Sequence, residues 1–309
     1  MKRWFYLLII TGAFLLAACG GGREVSGKLT IGIMPDVDSI PFIVAQEKGF
    51  FKEQGVTVEL VPFKSALDRD SAMQSGKLDG AVSDVLAAAF ARDGGFAAAI
   101  GSLTAGSYKL VVGRNEPANS VKDLKDKEIG LSKNTIIEYL TDRMLTENGL
   151  TPGDIRKVVI PQIPARMEML NNGRIAAAVL PDPLAAVAVR SGAKVLASSE
   201  QMGIDIGVMI FTSRAANQKM EEMQALYRAY DKAVAYIAVH PVDSYLDMLI
   251  NKGSFPESVR GALILPAYKK AGPPARKDVD DVVKWLYDKK LIKKVYNLEE
   301  LVDSKFVRR

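Results

Sequence analysis

Two carboxylates stand one residue apart at Asp36 and Asp38, just after the apolar run Leu29–Met34 and its stop at Pro35. Such a pair can hold a divalent cation, serve acid–base chemistry, grip a ligand, or do turn chemistry only. The spacing occurs in calcium loops, but the glycine and distal glutamate of an EF-hand are missing here. The chain has one histidine, His240, and one cysteine, Cys19. That is too few for an ordinary transition-metal set. His240 lies beside Pro241 at an expected helix end, far along the chain from the acids. No Gly-rich phosphate loop and no G-x-S-x-G elbow occurs. No catalytic residue, metal or cofactor is expected, and the acids remain as candidates for holding a ligand.

Two further acids open helices: Asp84 before Val85, and Asp182 before Pro183. Aspartate is a preferred N-cap and proline a preferred first helical residue, so plain capping is one role for both. A capping carboxylate keeps lone pairs that can face a cleft, so ligand binding is compatible with it. Ser132, Asn134 and Thr135 precede another helix, whose free N–H groups would suit an oxyanion. Phe42, Phe63, Tyr108 and Tyr139 are the aromatic candidates for stacking, although Phe42 and Phe63 lie in apolar runs that suit a core. With three or four acids around one helix start, a ligand carrying an amine or several N–H donors is expected over a bare oxyanion.

The elements that position these residues follow from periodicity. Leu29–Met34, Val56–Phe63, Ala81–Ser83 and Ala97–Leu103 read as strands; Pro41–Lys52, Asp68–Ser75 and Val85–Arg92 read as helices, the last two closed by Gly76 and Gly94. Alternating strands and helices predict an α/β protein with a parallel-type sheet. The pattern then recurs at an offset of 97 or 98 residues. "MQSGKLDGAVSD" (Met73–Asp84) matches "LNNGRIAAAVLPD" (Leu170–Asp182), and "IGIM" (Ile31–Met34) matches "IGLS" (Ile129–Ser132). Two similar lobes are predicted, with Lys109–Gly113 and Ile206–Thr212 as crossover strands. After Ser213, helices are expected at Gln218–Val239, Val242–Asn251, Pro256–Ala267 and Val279–Lys289. Paired crossovers enclose a cleft, lined by loops beyond the carboxyl ends of the strands.

The first residues carry a different message. Lys2 and Arg3 precede an apolar stretch, Trp4–Leu15, and then "LAAC" ending at Cys19. This is a signal segment with a sequence resembling a bacterial lipobox, which implies cleavage before Cys19 and lipid on its thiol. Gly20–Gly22 supply a tether. The formal charge of +5 is spread along the chain, and no basic arm or aromatic-basic platform suggests a nucleic-acid partner.

"IPFIVAQEKGFFKEQGVTVELVPF" (Ile40–Phe63) followed by "AMQSGKLDGAVSD" (Ala72–Asp84), with "LPDP" at Leu180–Pro183, resembles the solute-binding proteins of nitrate, sulfonate, taurine and thiamine-pyrimidine ABC importers. The resemblance implies a periplasmic-binding-protein type II fold that closes like a hinge on a small molecule and docks on a membrane permease. By position it places Asp36, Val37, Asp38, Ser39, Ser65, Ala66, Ser83, Asp84, Asn134, Thr135 and Asp182 around the ligand. The Trp and His of the pyrimidine binders' first loop are absent, and the acids argue against nitrate or a simple sulfonate. The expected plan is a signal at 1–18, lipidated Cys19 and tether to 27, first lobe 28–112, second lobe 113–207 and a return to the first lobe over 208–309. A monomer anchored outside the cytoplasm is expected. The alternatives are an enzyme on the same scaffold, similar to the pyrimidine synthase or the menaquinone-route enzymes, and a ligand-sensing lipoprotein.

Overall fold

The computed structural model describes residues 27–307. The expectations for the signal segment, Cys19 and nearly all of the tether lie outside the described residues. Among the described residues the chain forms two five-stranded sheets. The first has the order β2-β1-β3-β10-β4, and is built from β1 (Lys28–Ile33), β2 (Thr57–Pro62), β3 (Gly80–Asp84), β4 (Ala98–Leu103) and β10 (Gly207–Thr212). The second has the order β7-β6-β8-β5-β9, from β5 (Tyr108–Val112), β6 (Glu128–Leu131), β7 (Arg156–Val159), β8 (Ala177–Pro181) and β9 (Lys194–Ser198). β1 lies between two parallel neighbours, and its Leu29, Ile31 and Ile33 are buried. The edge strand β2 alternates exposed and half-buried residues, as one covered face dictates.

The first sheet carries α1 (Ile40–Glu47), α2 (Phe50–Glu53), α3 (Ala66–Gln74) and α4 (Val85–Asp93); the second carries α5 (Ile136–Glu147), α6 (Ile163–Asn171) and α7 (Leu184–Arg190). The C-terminal part adds α8 (Ser213–Gln218), α9 (Met220–Val239), α10 (Leu246–Gly253), α11 (Arg276–Asp288) and α12 (Leu298–Leu301). The stripe Met223, Leu226, Tyr227, Tyr230 and Ile237 of α9 is buried. The Tyr230 ring packs at a tilt against Phe42 of α1, centroids 4.9 Å apart, which returns the chain to the first sheet. None of the described helices is long and apolar enough to cross a membrane.

Three expectations need correction. The helix expected over Pro41–Lys52 is two helices, because Gly49 between them adopts φ +76°. Pro256–Ala267 is not a helix: one 3-10 turn, Glu257–Val259, stops before Gly261 at φ +65°, and Pro266 lacks the N–H to continue. Neither sheet is wholly parallel, because β10 and β5 run against their neighbours. Each of these strands arrives from the other half of the chain. The run Lys109–Gly113, placed at the end of the first lobe, pairs inside the second sheet, and Ile206–Thr212 pairs inside the first.

The two sheets repeat down to register. Ile31 pairs with Gly80 and Gly32 with Ala81; Ile129 pairs with Ala177 and Gly130 with Ala178. Gly207 faces Asp84 and Phe211 faces Gly80, while Tyr108 faces Pro181 and Val112 faces Ala177. The inserted strand also slips register against its outer neighbour at the same step, Met209/Ile210 in one sheet and Leu110/Val111 in the other.

Candidate functional site

The carboxyl ends of β1, β3, β6 and β8 point at one another across a small cavity. Met34, Ser83, Asp84, Ser132 and Pro181 line it from these ends, and Ala66, Arg69, Pro161, Ile163 and Arg166 from the second pair of loops. Its volume is about 40 Å³, room for two or three waters, since one water needs on the order of 10–15 Å³ by this measure. The lobes are closed on it: Val37 N–H donates to Asp182 O at 3.0 Å, and Ile163 N–H to Lys64 O at 3.2 Å.

The acids of the first loop both have structural partners. Asp36 caps the 3-10 turn Val37–Ser39, with Oδ1 accepting from Ser39 N at 3.2 Å and Ser39 Oγ at 2.9 Å. Ser39 stands at the N-cap of α1 and Pro41 in its first turn, but Ser39 makes no side-chain cap bond there, its hydroxyl donating to Asp36 instead. Asp38 accepts a hydrogen bond from Thr104 Oγ1 and another from Tyr108 Oη at 3.2 Å. Gly207 packs against the same carboxylate with no room for a Cβ. Asp38 thus touches both crossings between the sheets. Burial raises the Asp36 pKa to about 6. Burial and the Asp36 charge raise that of Asp38.

Asp84 caps α4 through Ala87 N at 2.9 Å, and burial raises its pKa to about 6. Asp182 accepts from Ala186 N at 3.2 Å, but its other oxygen takes Ser107 Oγ at 2.5 Å and the Lys109 ammonium. Those partners turn it to the crossing, and only Pro181 of that loop lines the cavity.

Two arginines define the site, and the sequence reading does not contain them. Arg69 of α3 is buried; Nη1 donates to Val82 O at 3.1 Å and Nε to Asp70 Oδ1 at 2.9 Å, and Nη2 lies 4.0 Å from Asp84 Oδ2. Arg166 of α6 is fully buried, and Nη1 donates to Ile160 O at 2.8 Å. Its Nε and Nη2 have no hydrogen-bond partner, and among the described residues it makes no ion pair. Burial lowers its pKa to about 10, which leaves it charged at neutral pH. Ser83 Oγ, also on the cavity, is buried without a partner. Unpartnered buried donors cost about 1–3 kcal/mol each, and more when charged. The arginines occupy equivalent places in the repeat. Each side chain packs over a glycine of an equivalent strand, β1 or β6, where a Cβ would stand 3.3 Å from Arg69 Cγ at Gly32 and 3.3 Å from Arg166 Cγ at Gly130. Carrying the self-comparison a few residues upstream of Met73 and Leu170 pairs them in the sequence.

The remaining candidates fall in different places. Ala66, Ser83, Tyr108 and Thr135 line the cavity. Ser65 caps α3, accepting from Asp68 N at 3.2 Å. Val37 and Ser39 are fully buried beside it. Phe42 is in the core against Tyr230. Tyr139 sits edge-on to Trp285 of α11 at 5.5 Å, away from the cavity. At the start of α5, Asn134 N–H donates to Glu138 Oε2 at 2.7 Å and Ile137 N–H to Thr135 Oγ1 at 3.2 Å, so two donors offered to an oxyanion are taken. Glu138 and Asp142 are bridged by Lys157 of β7 and by Lys289, just past α11, at 2.7–3.0 Å. Among the described residues no three His, Cys, Asp or Glu side chains are grouped to hold a metal.

Two α/β lobes, crossed twice by the chain and closed over a polar cavity, are the type II periplasmic-binding-protein fold. Solved structures agree with this assignment. The ligand-binding component of an ABC-type import system from Staphylococcus aureus, with zinc bound, superposes with a TM-score of 0.77 at 14% identity, over 91% of this chain and 97% of that one. The alkanesulfonate-binding protein SsuA from Xanthomonas axonopodis pv. citri, bound to MOPS, gives 0.74 at 19%, over 89% and 98%. The periplasmic nitrate-binding protein NrtA from Synechocystis PCC 6803 gives 0.70 at 14%, over 90% and 86%. No curated protein matches by sequence. The chain belongs to the NMT1/THI5-like family, whose model matches residues 36–244.

Proposed function

We propose that this protein is an extracytoplasmic solute-binding lipoprotein of an ABC importer. It captures a small solute by closing its lobes and presents the loaded form to a permease; Cys19 carries the lipid anchor. The observation that supports this most is Arg166: a fully buried guanidinium on the cavity with two nitrogens unpartnered. A bound anionic group is what such an arginine lacks.

This revises the expected ligand. The expectation of an amine rests on the number of acids around one helix start, but Asp36 and Asp38 are engaged by partners within the protein. The ligand class inferred here is a small solute with an anionic or strongly accepting head on Arg166 and Ser83. Its remainder lies toward Asp84 and Tyr108.

The test is a thermal-shift and calorimetric panel of sulfonates, carboxylates, nitrate, pyrimidines and amines on the mature protein. An anion is expected to raise the melting temperature of the wild type and not of Arg166→Gln. Its affinity should also grow between about pH 7.5 and about pH 5.5, as Asp36 and Asp84 take up protons and cease to repel it. Selective binding of amines that weakens over that range overturns the ligand class. Absence of binding by any small solute overturns the transport reading.

A further inference from the structure

A second cavity lies against both crossings and shares no lining residue with the cleft. It has a volume of about 590 Å³, inside the range of small-molecule sites. Its walls come from the β4–β5 crossing (Leu103, Gly106), the β9–β10 crossing (Ile204, Asp205) and the C-terminal segment between Pro266 and Ala275. Asp205 and Glu200 lie on its wall, and one Asp205 oxygen, Oδ1, is sealed from solvent behind it without a hydrogen-bond partner. At its rim Lys269 and Lys270 are exposed, and neither makes an ion pair among the described residues. A carboxylate on the wall and ammonium groups at the mouth, with apolar residues between, are complementary to a molecule charged oppositely at its two ends.

We propose that this cavity is a second small-molecule site, which takes a compact zwitterion with its ammonium on Asp205 and its anionic end at Lys269 and Lys270. Because both crossings form its walls, its occupant contacts the segments that must flex when the lobes open. Occupancy therefore favours one lobe angle, and by linkage it changes cleft affinity by the same factor that the cleft ligand changes its own.

The probe is 5-aminopentanoate, titrated calorimetrically into the mature protein, with pentylamine and pentanoate as half-molecules. The expected result is saturable binding that each half-molecule matches only weakly. Asp205→Asn should lose about tenfold or more in affinity. Gly272→Leu should do the same by filling the cavity, since a Cβ there meets nothing closer than 3.9 Å. Arg166→Gln, which disables the cleft, should bind the probe as the wild type does. No binding to the wild type, wild-type binding by both hinge variants, or loss in Arg166→Gln alone overturns the proposal. Loss of cleft ligands in Arg166→Gln with the probe retained separates this site from the one proposed above.

Discussion

At the scale of single residues, the molecule keeps one guanidinium in a place where it lowers stability until something binds. Replacing buried ion pairs by well-packed apolar side chains is often neutral or stabilising by about 1–4 kcal/mol, and a buried charge without a partner is costlier to keep. Arg166→Met is therefore expected to melt at the wild-type temperature or above in calorimetry, while ligand affinity is lost. A marked fall in melting temperature would make Arg166 structural. The carboxylates set the pH profile. Asp36 and Asp84 have folded-state pKa values raised from 3.8 to about 6, so the folded protein binds their protons more tightly than the unfolded chain does. Stability should therefore fall as pH rises between those values. Glu138 behaves oppositely. Burial opposes its charge, but the Asn134 N–H, Lys157 and Lys289 outweigh that and lower its pKa from 4.5 to about 2, so its contribution is lost as pH falls through that window. The ligand-free melting temperature should peak near about pH 4–5, and Asp84→Asn, which preserves the cap, should flatten the decline above the peak. The sequence shows acids and caps because their types and places are conspicuous. It hides Arg69 and Arg166, because an arginine inside a helix looks like a solvated one until packing shows that it has no partner.

At the scale of elements, the repeat was legible in short motifs, and the structure extends it to strand register and to the step at which register slips. The direction of β5 and β10 was not legible, since an apolar run carries no polarity; the partner's position decides it. Gly32 and Gly130 mark where helix and strand approach closely. Gly130→Ala would force its methyl into Ile175 and against Arg166, and is expected to weaken ligand binding well beyond any loss in denaturant midpoint. Wild-type affinity in that variant would show that Arg166 tolerates displacement. The second element-scale prediction concerns α5 and α11. Lys289 joins the Glu138–Asp142 pair, Trp285 Nε1 donates to Asp142 Oδ2 at 3.2 Å, and Arg143 reaches Asp281 at 3.5 Å, so α11, which packs on α4 of the first lobe, is tied to α5 of the second. Lys289→Met should shift the ligand-free protein toward open lobes, seen as a larger radius of gyration in solution scattering. An unchanged radius would remove α11 from control of closure.

At the scale of the whole molecule, Cys19→Ser should move the protein from the membrane fraction to the soluble one, and continued membrane retention would count against the anchor. The two-lobed plan was readable from the repeat, while the closed state was not, because it depends on backbone bonds such as Val37 N–H to Asp182 O. The exchanged strands carry one more consequence. The second sheet is encoded without interruption between residues 108 and 198, but the first begins at residue 28 and lacks the strand between β3 and β4 until residue 212 is available. A ribosome or a secretion channel delivers residues in order, so the unit begun first is completed last. Its open middle, flanked by β3 and β4, must wait unpaired for about a hundred residues of another structure. Chains halted between β9 and β10 should therefore display a protease-resistant second half and a digestible first half.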